Sequence, residues 1–92
     1  MNSIQSYSGF NFKGNLIIKD KNGDRTLIPA QEVKSIEEKT SGFSKGVYIV
    51  TNVDNGFGST FYRFKNIPYE QVVDLYKNAL NSDNDIEIQN DN

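Results

Sequence analysis

The chain has 92 residues, a formal net charge of −2, and neither His nor Cys. Because these two residues supply most general acids, nucleophiles and metal ligands near neutral pH, their absence argues against most hydrolase, redox and zinc chemistry. No phosphate loop, dinucleotide fingerprint or nucleophile elbow replaces them, so we expect one small domain that is not an enzyme and has no cofactor and no metal site.

The N-terminal region is polar. Residues 1–9 are rich in Ser and are expected to form a flexible segment, and the spacing of Phe10 and Phe12 predicts the start of a first strand. Residues 1–12 contain no basic residue and no continuous apolar run, so we expect no signal peptide. No stretch approaches the roughly 18 apolar residues of a membrane span. With no Cys available for disulfides, we expect a cytoplasmic location.

A hairpin signal follows the first polar residues. The apolar runs Leu16–Ile18 and Thr26–Ile28 flank the dipeptide Asn22-Gly23, and both residues of that pair accept a positive φ at low cost. Pro29 lacks a backbone donor and is expected to end the second strand. The sequence therefore predicts an antiparallel hairpin.

The middle of the chain predicts further strands. Residues 33–39 suit either a helical turn or a strand over 34–40, and the strand fits better with a following loop at 42–46. Residues 47–51 are β-branched or aromatic and predict a strand, as do residues 59–64. Because residues 47–51 are apolar on both faces, we expect a helix over one face and a partner or a curled sheet over the other.

Helix signals occur near the C-terminus. Asn66 is a candidate cap, Pro68 suits the first turn, and Glu70 suits the positive end of the helix dipole. One apolar stripe at helical spacing comprises Tyr69, Val72, Val73, Tyr76 and Leu80. The helix is expected to stop near residue 81, and residues 82–92 are predicted to be an acidic disordered tail. Residues 10–81 are thus predicted to form one α+β domain, an antiparallel β-meander or roll of about five strands with one C-terminal helix packed on one face.

Several aromatic and basic residues are candidates for partner binding. Phe43 and Phe57 each lie in a Gly-flanked turn, where the ring either folds back as a plug or stands exposed as an anchor. Tyr48, Tyr62 and Arg63 either pack as strand neighbours or, with Lys13 and Lys65, form a face that stacks single-stranded bases. A nearly neutral body makes nucleic acid the less favoured partner.

The tail contains an alternating segment, residues 85–89, in which Ile86 and Ile88 are separated by an acid. This segment is either a solubilising tail or a strand that adds to the sheet edge of a neighbour or partner. The acidic composition of the surrounding residues favours the solubilising tail.

These features together favour a small non-catalytic protein–protein interaction module. A plausible setting is an accessory or regulatory protein of a bacterium or phage, which acts by occupying the surface of a protein partner. The alternatives are a homo-oligomeric structural subunit and a single-stranded nucleic-acid-binding protein.

Overall fold

The computed structural model describes residues 14–54, 56 and 58–90. The predicted features at Phe10, Phe12, Lys13 and Phe57 lie outside these residues. The described elements, in chain order, are β1 (Asn15–Asp20), β2 (Arg25–Pro29), a 3₁₀ turn (Ala30–Glu32), β3 (Val33–Lys39), β4 (Gly46–Asp54), β5 (Ser59–Phe64), α1 (Tyr69–Leu80) and β6 (Ile86–Asn90).

Within the described residues, six strands form two three-stranded sheets, in the orders β2-β1-β6 and β3-β4-β5. Strand β1 pairs antiparallel with β2 and parallel with β6, whereas β4 pairs antiparallel with both of its neighbours. The α+β class is confirmed. The predicted single meander with a C-terminal helix is corrected in two respects, because the strands divide into two sheets and a strand follows the helix.

The first hairpin is confirmed, with Leu16 opposite Ile28. Its turn is closed by the Asp20 carboxylate, which accepts hydrogen bonds from the backbone N–H groups of Asn22 (2.9 Å) and Asp24 (3.0 Å). Gly23 has a φ of +88°, which a residue with a side chain adopts only at a cost. Local turn chemistry therefore fixes this hairpin.

The predicted disordered tail is corrected between residues 86 and 90. These residues form β6, which places Ile88 beside Ile18 in the sheet and buries it to 1% exposure. The Asn15 side-chain amide donates to a carboxylate oxygen of Asp85 at 2.9 Å, just before the strand begins. Burial of the Ile88 side chain and backbone pairing of all five β6 residues with β1 stabilise the ordered strand relative to a solvated tail.

Helix α1 packs over the sheets and contacts β1, β3, β6 and the 3₁₀ turn. Its fully buried residues are Val72 and Ala79, two turns apart on one face, while Val73 of the predicted stripe is only half-buried. Pro68 occupies the N-cap position without a side-chain hydrogen bond, so the predicted cap at Asn66 is wrong.

The core between the layers comprises Leu16, Ile18, Ile28, Ala30, Val47, Ile49, Phe64, Val72, Ala79 and Ile88.

Candidate interaction surface

The β3-β4-β5 sheet has two unlike faces because successive strand residues point to opposite sides. On β4, Val47, Ile49 and Thr51 are buried and face the core. Tyr48 and Val50 lie on the opposite side. The strand register extends this division across the sheet and defines an outer face, formed by Glu37, Lys39, Tyr48, Val50, Phe61 and Arg63.

Aromatic rings dominate the centre of the outer face. The rings of Tyr48 and Phe61 lie 5.7 Å apart between centroids and are tilted by 54°, a favourable arrangement for aromatic pairs. The Lys39 Nζ atom lies 5.7 Å from the centroid of the Tyr48 ring, within the range of a cation–π contact. Tyr48 is nearly covered by these neighbours, whereas Phe61 remains 60% exposed. The outer face therefore leaves a large apolar ring exposed to water.

The loop at residues 42–46 stands at one end of this face, and side chains of the sheet hold it. Arg63 Nη2 donates to the carbonyl oxygens of Phe43 (2.8 Å) and Lys45 (2.6 Å). Arg63 Nε also donates to the Lys45 carbonyl oxygen, at 3.1 Å. The Tyr48 hydroxyl donates to the carbonyl oxygen of Ser44 at 2.6 Å. Three successive backbone carbonyls are thus bonded to β4 and β5, while the Phe43 ring is fully exposed.

Gly46 allows Arg63 to reach the loop. It has a φ of +148°, and a Cβ atom at this position would lie 3.2 Å from Arg63 Nε and 3.0 Å from the carbonyl oxygen of Phe64. Any larger residue would crowd the guanidinium and strain the backbone. The glycine at the start of β4 is therefore part of the arrangement that fixes the loop.

A shallow groove of about 470 Å³ runs between the loop and the outer face. Its apolar lining comes from Phe43, Tyr48, Val50 and Phe61, and its charged lining comes from Glu37, Lys39 and Arg63. The Glu37 carboxylate accepts a hydrogen bond from the Ser35 hydroxyl at 2.9 Å. Within the described part of the chain, no carboxylate pairs with Lys39.

The structure brings together three of the residues singled out by the sequence, namely Phe43, Tyr48 and Arg63. The sequence leaves two alternatives for Phe43, a ring folded back as a plug and an exposed ring. In the structure the ring is exposed and does not plug the fold. Tyr62 lies on the core side of β5, where it packs against the buried cluster, so it does not share a face with Arg63. The base-stacking face is therefore not assembled as predicted.

Phe61 is not a candidate from the sequence, and the structure places it on the outer face of the edge strand β5, beside Tyr48. Strand alternation is an available signal, because Phe61 and Arg63 must share one face of β5 and Tyr62 and Phe64 the other. Lys39 is also missed, since its contact with Tyr48 depends on the pairing of β3 with β4.

The tail residues have a different environment from the one expected. Ile88 is buried in the core and Ile86 is half-buried against it, both through pairing with β1 of the same chain. The tail segment therefore adds as a strand to β1 of its own chain and not to the sheet of a partner. In this arrangement the side chains of Ile86 and Ile88 are not available for apolar contacts with a partner.

Among the described residues, no group of three or more His, Cys, Asp and Glu side chains is placed to hold a metal ion. No helix in that same part of the chain combines the length and apolar character needed to cross a bilayer. Comparison with protein-family models, with curated proteins and with solved structures finds no match to this chain.

Proposed function

We propose that this chain is a small, non-catalytic protein–protein interaction module that binds a protein partner through the outer face and the 42–46 loop. The observation that carries the proposal is the fixed presentation of Phe43. Its ring is fully exposed, while the carbonyl groups of Phe43, Ser44 and Lys45 are bonded to Arg63 and Tyr48.

An exposed ring on a fixed loop is well suited to binding. Aromatic side chains are enriched among residues that dominate binding energy, since they bury a large area with few rotatable bonds. Holding the loop in one conformation before binding also lowers the conformational entropy lost on association. Phe43 and Phe61 together present two such rings beside one groove, and neither is needed to cover the core.

We place the module in the cytoplasm, as an accessory or regulatory protein of a bacterium or phage. The absence of Cys supports a reducing compartment. Frequent Asn residues in the sequence fit an AT-rich genome. In this proposal the protein acts by occupying a partner's surface.

Comparative affinity capture tests the proposal. Four immobilised baits are used, namely the wild-type chain, Phe43→Ala/Phe61→Ala, and two single controls, Leu27→Ala and Val53→Ala. Leu27 and Val53 are also large, exposed apolar residues, but neither lines the groove. We expect a protein that is retained by the wild-type and control baits and lost from the double variant.

The captured protein is then purified and its affinity for each bait is measured by calorimetry. Loss of both rings should weaken binding by roughly thirtyfold or more, since each central anchor contributes more than about 1 kcal/mol. Equal retention by all four baits contradicts the proposal. Capture of nucleic acid in place of protein, or only of further copies of this chain, also contradicts it and favours one of the two alternatives.

A further inference from the structure

The groove on the outer face combines an apolar floor with a charged rim. Tyr48 and Val50 are the more covered apolar residues of its lining, and Phe43 and Phe61 are the more exposed ones. A volume of about 470 Å³ falls within the range of sites that hold small ligands. The groove is open on one side, which suits a segment of polypeptide that lies across it.

The charges on the rim favour an acidic ligand. Lys39 and Arg63 contribute two positive charges to the lining and Glu37 contributes one negative charge. The Glu37 carboxylate accepts a hydrogen bond from the Ser35 hydroxyl and keeps its negative charge. The Lys39 ammonium lies over the Tyr48 ring and has no carboxylate partner among the described residues, so the lining has a net charge of about +1. This positive lining is a local departure from the charge of the whole chain, which is −2.

We infer that the groove binds a short segment of a partner protein that carries one bulky apolar side chain next to an Asp or Glu. The apolar side chain occupies the space between Phe43 and Phe61, and the carboxylate pairs with the Lys39 ammonium. This inference rests on the proposed function and adds the chemistry of the partner. A basic segment is disfavoured, because Lys39 and Arg63 would face like charge at close range.

Selection from a random-peptide library displayed on phage tests this inference and does not require the natural partner to be identified. The full-length wild-type chain is the target, and Phe43→Ala/Phe61→Ala is used for counter-selection. We expect the surviving peptides to share a Phe, Leu or Trp adjacent to an Asp or Glu. The binding of one fluorescently labelled synthetic peptide from this set is then measured by anisotropy.

A charge exchange identifies the carboxylate contact. Lys39→Glu is expected to weaken binding of the acidic peptide by about tenfold or more, because an attraction becomes a repulsion. Replacing the peptide's acid with Lys should restore affinity for this variant. Lys21→Glu makes the same change of charge in the β1–β2 turn, away from the groove, and should alter affinity by about twofold at most at moderate salt. Circular dichroism confirms that each variant is folded.

The outcomes separate the inference from the proposed function. Peptides that need Phe43 and Phe61 but show no acid and no response to Lys39→Glu overturn the acidic ligand and leave the interaction surface in place. Failure to recover any peptide dependent on the two rings overturns the groove as a peptide site. If light scattering shows a dimer that Phe61→Ala dissociates, a second copy of the chain occupies the face and the inference is also overturned.

Discussion

The two faces of the β3-β4-β5 sheet differ sharply although they share the same strands. Phe64, on the inner face of β5, is 1% exposed and contacts the core, whereas Phe61, on the outer face of the same strand, is 60% exposed. Burial of a Phe side chain contributes about 1.5–3 kcal/mol to folding, and an exposed ring gains little of this. The inner face therefore stabilises the fold, while the outer face keeps Phe61 exposed, and stability gives no sufficient reason for an aromatic residue there.

Truncation of Phe64 and of Phe61, which lie on opposite faces of β5, gives the largest expected contrast. Phe64→Ala should lower the free energy of unfolding by about 3–5 kcal/mol, because it removes buried area and leaves a cavity. Phe61→Ala should lower it by about 1 kcal/mol or less, since the ring is 60% exposed and its neighbours on the outer face are Tyr48 and Val50. Urea denaturation followed by circular dichroism measures both values. A similar cost for the two variants would contradict the distinction between the faces.

The tail strand provides a second test, because it extends the stabilising side of the molecule. Ile88→Ala should lower the free energy of unfolding by about 2–5 kcal/mol, as expected for a buried aliphatic side chain. Leu27→Ala, a change at an exposed position of the same sheet, should cost about 1 kcal/mol or less. If residues 86–90 were a solvated tail, Ile88→Ala would have no effect on stability.

Thr51 is the buried polar residue of the inner face, and its hydroxyl has two partners. Thr51 Oγ1 donates to the carbonyl oxygen of Thr60 at 3.1 Å and accepts from the Val53 N–H at 3.3 Å. Thr51→Val keeps the shape and leaves these backbone groups unpaired, so thermal and urea unfolding should show a loss of about 1–3 kcal/mol. Thr26→Val, at an exposed strand position, serves as the matched control and should be nearly neutral.

Replacement of Arg63 should have a small effect on stability and a clear effect on binding. Lys cannot reproduce the planar fork that contacts the carbonyl groups of Phe43 and Lys45. Arg63→Lys should therefore change the free energy of unfolding by about 1.5 kcal/mol or less and weaken binding of the captured partner severalfold. Arg25→Lys, at an exposed position of β2, should change neither quantity. Unaltered binding by Arg63→Lys would show that the loop need not be fixed.

Local patterns in the sequence are sufficient for much of the fold. The Asn22-Gly23 turn, the strand over residues 59–64 and the existence of one helix before residue 81 each depend on residues within a few positions of one another. The predicted start of that helix, with a cap at Asn66, is too early. The α+β class follows from these elements. Strand β3 is ambiguous in the sequence because its apolar spacing fits a helical turn as well, and its pairing with β4 decides in favour of a strand.

The tail strand and the division into two sheets depend on distant residues. Asp85 bonds to Asn15, which is 70 positions earlier in the chain, and Ile88 packs beside Ile18. The alternation of Ile86 and Ile88 is visible in the sequence, but local composition cannot identify β1 as the strand that receives them. Acidic composition indicates disorder, and tertiary pairing overrides that tendency.

The interaction surface is predictable in part. Gly-flanked Phe43 is a candidate anchor from the sequence, which leaves open whether the ring folds back over the fold or stands exposed, and the structure shows it exposed. Placing Tyr62 and Arg63 on one face neglects strand alternation, which instead selects Phe61. The bonds from Arg63 to the loop span 18 and 20 positions of the chain, so no local pattern reveals them. Fixation of the loop is therefore visible only in the structure.

The proposed binding mode requires that the loop carrying Phe43 is already fixed before any partner binds. Backbone ¹⁵N relaxation of the unbound protein measures this. We predict order parameters for Phe43, Ser44 and Lys45 near those of the strands, about 0.85. Values below about 0.6 would show that the carbonyl contacts of Arg63 and Tyr48 do not hold the loop, and would contradict the fixed presentation of Phe43.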